Sequence, residues 1–249
     1  MDWFRLLGLS ILAGAAIPIG AAIGRFRWIH REWLEQEMRH GVIAFGGGVL
    51  LAAVALVLVP EGSKSLSILD TVLWMLSGGI FFCAIDILLA RSQTSASQLV
   101  AMLADFLPEA MALGALLASD GNSALLLALL IALQNLPEGF NAYRELVAQN
   151  DPRHVHRGRV AQGLSPNRVL FMFLLLVLVG PAAALFGHLV LSEMPWTLGG
   201  LMLFASGGIL YLTFQDLAPQ SRLERHWAPP LGAVCGFLLG LVGHLMLKG

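Results

Sequence analysis

The sequence predicts an all-α integral membrane protein: one domain, residues 1–249, built as a bundle of eight transmembrane helices. Three observations predict it. Hydrophobic residues make up 57% of the chain against 12% charged, far from the balance of soluble domains. The mean hydropathy is +0.76. Eight mostly apolar windows each approach the 20 or so residues that a helix needs to cross hydrocarbon. Their apolar runs are continuous, whereas the strands of a membrane barrel alternate in roughly ten-residue segments.

The windows lie near 3–24, 41–60, 69–90, 99–118, 122–143, 168–190, 196–216 and 228–247. Ala13-Gly14-Ala15 in the first resembles a cleavage site, but Arg25 and Arg27 follow the apolar run and only Arg5 precedes it. That is the wrong side for a cleaved signal, so the segment reads as a retained helix. With the amino terminus outside, twelve of the fifteen Lys and Arg residues fall in inner connections, leaving Arg5, Lys64 and Lys248 outside. The positive-inside rule then places both termini away from the cytoplasm, in a multi-pass protein of the plasma or inner membrane. Outer connections are short, centred on Glu61 to Ser67, Ser119 to Gly121 and Ser192 to Pro195, and leave no ectodomain for separate chemistry. Of the inner ones, Arg25 to His40, with Trp28, His30, Trp33 and Glu35, reads as a short amphipathic continuation with aromatic anchors. Arg144 to Arg168 is a solvated basic loop around His154-Val155-His156, better suited to anionic headgroups than to metal capture. Cys83 and Cys235 fall inside spans and act as small apolar residues. The net charge of −1 averages basic inner loops with acids held in the spans, and no nucleic-acid footprint follows from it. The partners are the lipid bilayer and a cation. Stripes such as Ala183-Ala184-Leu185-Phe186-Gly187 serve packing inside a bundle as readily as a homodimer.

Asp105-Phe106-Leu107-Pro108-Glu109 and Gln134-Asn135-Leu136-Pro137-Glu138, 29 residues apart, carry the chemistry. A carboxylate in hydrocarbon costs at least roughly 2.5–3.5 kcal/mol even on the forgiving insertion scales, so three in two apolar helices need a shared partner. Residues at i and i+4 share a helix face, which sets Asp105 beside Glu109 and Gln134 beside Glu138. The short connection makes the helices antiparallel neighbours whose edges face each other. Pro108 and Pro137 each remove a helical donor and free the carbonyl four residues earlier, at Ala104 and Leu133, as in the broken helices of transporters. Three carboxylates beside a carboxamide cannot all stand ionised without a cation or a proton between them. A divalent cation is the simplest partner.

At these residues the chain resembles the ZIP family of divalent metal transporters, of which it is identified as a divergent member. Gln134-Asn135-Leu136-Pro137-Glu138-Gly139 matches the second of the family's two Pro-Glu-Gly motifs outright, and the first is matched at Pro108 and Glu109. The resemblance extends to the eight-helix layout, to Gly46-Gly47-Gly48 with Val59-Pro60-Glu61 in the second helix, and to Gly207-Gly208 in the seventh. It implies an inverted repeat relating helices one to three to six to eight (a 3+2+3 arrangement), and metal passage between the fourth and fifth. It implies Asp105, Glu109, Gln134, Glu138 and Asn135 as metal-binding residues.

The departures bear on metal number. Relatives often hold two metals, the second using an Asn where this chain has Phe106 and a Glu where it has Gly180 before Pro181. One bulky aromatic and one missing carboxylate predict a mononuclear site. The all-oxygen set suits manganese or ferrous iron somewhat better than a soft site would, and zinc also accepts carboxylates. Zinc therefore stands first by resemblance, with manganese, iron and cadmium open. Asp86 and Asp216, near inner helix ends, either line an exit path or pair with Arg91 and Arg222. No His-Glu-x-x-His or Gly-x-Ser-x-Gly motif occurs, so the reading is a carrier of divalent cations toward the cytoplasm and not an enzyme. The alternative is a non-transporting homologue that binds metal or scaffolds.

Overall fold

The computed structural model describes residues 3–26, 32–92, 95–148, 164–221 and 229–248. Among them eight helices are long and apolar enough to cross a membrane, and no strand occurs. They are α1 (Trp3–Arg25), α2 (Glu32–Ala53, continued through Val54–Leu58 and Val59–Ser63), α3 (Ile68–Ser92), α4 (Ser95–Ser119), α5 (Gly121–Ala148), α6 (Pro166–Leu189), α7 (Pro195–Leu212, continued through Thr213–Leu217) and α8 (Pro229–Lys248). The spans fall within a few residues of the expected windows, and the largest differences lie at the start of the second and the end of the fifth. Those two ends extend because Arg39, Asn141 and Glu145 bond one another across α2 and α5, so polar residues there are satisfied without leaving the helix. The amphipathic continuation expected before the second span is helical from Glu32 and runs straight into α2. Trp28, His30, His154 and His156 lie outside the described residues.

Two helix groups make up the bundle. In one, α1 packs on α5 and α6, and α4 packs on α6; in the other, α2 packs on α8 and α3 on α7. Four crossings share one construction, in which a glycine on each helix faces a carbonyl of the other. A Cβ on Gly20 would overlap the Leu136 oxygen and one on Gly139 the Ile17 oxygen; Gly114 and Gly187 face Ala184 and Met111 in the same way. In the second group Gly48 and Gly236 face Ala233 and Phe45, and Gly78 and Gly207 face Phe204 and Met75. Such approaches need a residue without a side chain, and they bring Cα–H groups onto carbonyl oxygens. The groups meet each other through side chains instead: the carbon nearest to a Cβ on Gly46 of α2 is Cγ of Pro137, at 2.9 Å.

The second group carries a further correspondence. Val54–Leu58 in α2 and Thr213–Leu217 in α7 are widened π turns, each followed two residues on by a proline, Pro60 and Pro219. The extra residue in such a turn accommodates the donor that proline lacks. Gly48 stands to Pro60 as Gly207 stands to Pro219. By contrast α4 and α5 run as unbroken α-helices through Pro108 and Pro137.

Candidate metal centre

Asp120 alone separates α4 from α5, and it caps the second helix. The backbone N–H groups of Asn122 and Ser123 donate to its Oδ1 at 3.0 and 3.2 Å, and the Ser123 hydroxyl donates to Oδ2 at 2.7 Å. These are the donors that a helix start leaves unsatisfied. The hydroxyl first, and the backbone donors after it, hold the Asp120 carboxyl below its ordinary range. So tight a turn makes the helices antiparallel, with Glu109 at the level of Gln134 and Asp105 one turn away at the level of Glu138.

The structure brings these four together. Gln134 Nε2 donates to Glu109 Oε2 at 2.6 Å, and Asp105 and Glu138 stand one turn along α4 and α5 on the faces of Glu109 and Gln134. Glu109 is fully buried, Asp105, Gln134 and Asn135 are also buried, and Glu138 is partly open. Three buried oxygens have no hydrogen-bond partner: Asp105 Oδ1, Glu109 Oε1 and Gln134 Oε1. Leaving such acceptors unpaired costs about 1–3 kcal/mol each, so a constellation with one orphan on each of three predicted ligands suits a cation. Among the described residues, however, no three His, Cys, Asp or Glu side chains already stand as a closed metal shell. The Gln134 side chain presents its amide nitrogen, not its oxygen, to Glu109. Its oxygen joins a shared ligand set with Glu109 only after the amide turns about its last torsion.

Asn135, expected among the ligands, is placed differently. It lies about 100° around the helix from Gln134, and its Nδ2 donates to the Ala13 carbonyl of α1 at 2.9 Å. Together with the Gly139 crossing on Ile17, it ties α5 to α1. Two of the six motif residues from Gln134 to Gly139 therefore hold the helix in place while Gln134 and Glu138 face the cavity.

That cavity, of about 320 Å³, is walled by α2, α3, α4, α5 and α7 and reaches Asp105, Gln134 and Glu138 at its deep end. Toward the α4–α5 turn the bundle is closed by apolar side chains, among them Val57, Leu58, Leu113, Leu116, Leu127 and Leu130. At the other end lie Asp86, Asn141, Glu145 and Asp216. Asp86 and Asp216 thus both face the cavity, with Asp86 Oδ2 accepting from the Tyr211 hydroxyl at 2.9 Å. Arg91 and Arg222, their alternative partners, have side chains outside the described residues. Asn141, Glu145 and Tyr211 escaped the sequence reading. A signal for the first two existed, because Gln134, Glu138, Asn141 and Glu145 recur at helical spacing.

Phe106 and Gly180, the two departures that predicted a single metal, are neighbours in space. Phe106 is buried, and its Cζ lies 3.0 Å from where a Cβ on Gly180 would stand and 3.4 Å from one on Gly14. The ring and the Ser10 carbonyl oxygen, 2.9 Å from the same point, leave no room for a side chain at position 180. Cys83 and Cys235 are free thiols on α3 and α8.

No family model matches the chain. A curated relative, the zinc transporter GufA of Myxococcus xanthus, is 34% identical over 145 residues, an alignment covering 49% of this chain and 55% of the relative. The chain thus spans about half the length of the curated relative it matches.

Proposed function

We propose that the protein is a divalent-cation transporter of the ZIP type, carrying zinc first and toward the cytoplasm through a mononuclear site formed by Asp105, Glu109, Gln134 and Glu138. The observation that carries this reading is the convergence of four oxygen-bearing side chains, three of them lining the cavity, with unpartnered oxygens on three of the four. The name of the 34% identical relative, zinc transporter, supports the cargo. The chemistry is that of a carrier. No bond in the protein or cargo is made or broken; carboxylates and a carboxamide exchange for water around the ion.

The mechanism follows from the division of the helices. The substrate site belongs to α4 and α5, in the group built on α1 and α6, whereas α2, α3 and α7 supply the opposite cavity wall. Glycine-to-carbonyl crossings inside each group resist sliding, and the side-chain contacts between groups permit it. Rigid movement of one group against the other, around a site fixed on α4 and α5, exposes the ion first to one face and then to the other. The four mirrored crossings, and the π turns before Pro60 and Pro219, support an inverted repeat of the first three helices on the last three. The face to which the cavity opens holds Arg25, Arg39 and Arg144, bonded to Asn167, Glu145 and the Gly24 carbonyl. The positive-inside rule makes it cytoplasmic. The Phe106 ring against Gly180 supports a single ion, since no second carboxylate stands there.

Zinc accumulation in cells separates this reading from a scaffolding homologue. With surface expression matched, Glu109→Ala and Glu138→Ala are each expected to reduce uptake to background. Wild-type uptake in both variants overturns the site.

A further inference from the structure

Gln134, Glu138, Asn141 and Glu145 succeed one another on α5 at spacings of four, three and four residues, one face of a helix, and all four line the cavity. The substrate site uses the first two. The other two, nearer the mouth, already hold a cationic group. Arg39 Nε donates to Asn141 Oδ1 at 2.9 Å and Arg39 Nη2 to Glu145 Oε1 at 3.2 Å, while Asn141 Nδ2 donates to the same Glu145 oxygen at 2.8 Å. Arg39 and Glu145 side chains are 35% and 32% exposed, and an ion pair so open to water contributes little to stability. Arg39 comes from α2, so the contact also ties one helix group to the other. A carboxylate paired with a carboxamide repeats the donor chemistry of Glu109 with Gln134.

We infer that Asn141 and Glu145 form a release site, the last protein oxygens that a departing divalent cation meets, and that Arg39 is a tethered cation competing for it. The inference rests on the transport reading above. A divalent ion arriving at Glu145 carries twice the charge of the guanidinium and displaces it, which unties α2 from α5. When Arg39 swings back, like-charge repulsion drives the ion toward water, and its two bonds, one to Asn141 and one to Glu145, restore the tie. Arg39 thereby keeps an oxygen-rich mouth from retaining the cargo.

The test is zinc binding by equilibrium dialysis on the purified full-length chain in detergent. Arg39→Gln is expected to bind one equivalent more than wild type, and Arg39→Gln with Glu145→Gln to return to the wild-type count. Arg39→Lys, which keeps a tethered cation, stays at the wild-type count, and Arg39→Met replaces the glutamine variant should that one not fold. No extra equivalent in either neutral variant overturns the release site, as does an extra equivalent that survives Glu145→Gln. Adding Glu109→Gln and Glu138→Gln to the Arg39→Gln background isolates the deep site. If those changes remove nothing, the transport reading fails, while an extra equivalent dependent on Glu145 still upholds the release site.

Discussion

Replacing Glu109 by glutamine keeps its shape and removes its charge, and the surroundings predict opposite effects on stability and on function. In the native arrangement Gln134 Nε2 donates to Glu109 Oε2 at 2.6 Å, while Glu109 Oε1 and Gln134 Oε1 are buried without partners. A carboxamide at position 109 accepts the same bond and can donate one back to Gln134 Oε1. One substitution then resolves both orphans in a reciprocal amide pair. Each unsatisfied buried acceptor costs about 1–3 kcal/mol, and losing the charge-assisted character of the existing bond offsets about 1 kcal/mol. Against an ionised Glu109 the net gain is about 2 kcal/mol, which for a chain of this size raises Tm by roughly 4–8 °C, and protonation of Glu109 in the metal-free wild type shrinks it. Without metal, Glu109→Gln should therefore melt above wild type in a detergent thermal-shift assay. With zinc the order reverses. A hundredfold excess over Kd adds about 2.7 kcal/mol to a protein that binds only when folded, and the variant should gain none of it while its uptake falls about 100-fold, the loss of roughly 2.7 kcal/mol of binding. A Tm falling by several degrees without metal would make Glu109 interior polar glue, and the reasoning would be refuted. So would an unchanged response to zinc.

Three further outcomes are expected. Gly139→Ala places a methyl group on the Ile17 carbonyl and stretches the Asn135 bond to Ala13, so it should lower stability by at least about 2 kcal/mol; wild-type melting would contradict a packing role. Phe106→Ala empties the space against Gly14 and Gly180 and should cost about 3–5 kcal/mol without adding a zinc equivalent, because position 180 brings no carboxylate; two equivalents by dialysis would contradict the single site. Asp120→Ala removes the α5 cap and should cost about 1 kcal/mol near neutrality. Since the Asp120 carboxyl is held below its ordinary range, chiefly by the Ser123 hydroxyl, that contribution is present above the unfolded value near 4 and vanishes as pH falls through the folded one. Thermal melts of wild type and variant should therefore converge in acid, and a gap independent of pH would mean that the carboxylate charge plays no part.

The eight spans were legible because hydrocarbon imposes one length and one composition on every crossing helix, whatever packs beside it. The pairing of the spans was not. It depends on glycines meeting carbonyls on helices distant in sequence, such as Gly20 with Leu136 and Gly207 with Met75, and a glycine in isolation does not name its partner. Within the candidate site, Asp105, Glu109, Gln134 and Glu138 were legible from i, i+4 spacing and a one-residue turn. The Asn135 bond to α1 was not legible because a motif groups residues by adjacency, whereas a helix turns adjacent residues about 100° apart.

The same contrast explains why the cavity mouth escaped notice. Asn141 and Glu145 continue the face of Gln134 and Glu138, but they sit at and just past the end of the 122–143 window, where polar residues at a helix end carry little cost that demands a partner. Arg39 counted only as an orientation charge for the same reason. What singles these three out is that the partner comes from the opposite helix group, a property of tertiary structure alone. Phe106 and Gly180 make the complementary case. Read along the chain they are two separate losses of a ligand, and either alone would leave half of a second site. In space they are one arrangement, since the Phe106 ring and the Ser10 carbonyl together crowd the place of a Cβ at position 180. Restoring a carboxylate at 180 therefore requires relief at both the Phe106 ring and the Ser10 carbonyl, and a single substitution at either position 106 or 180 does not rebuild the second site.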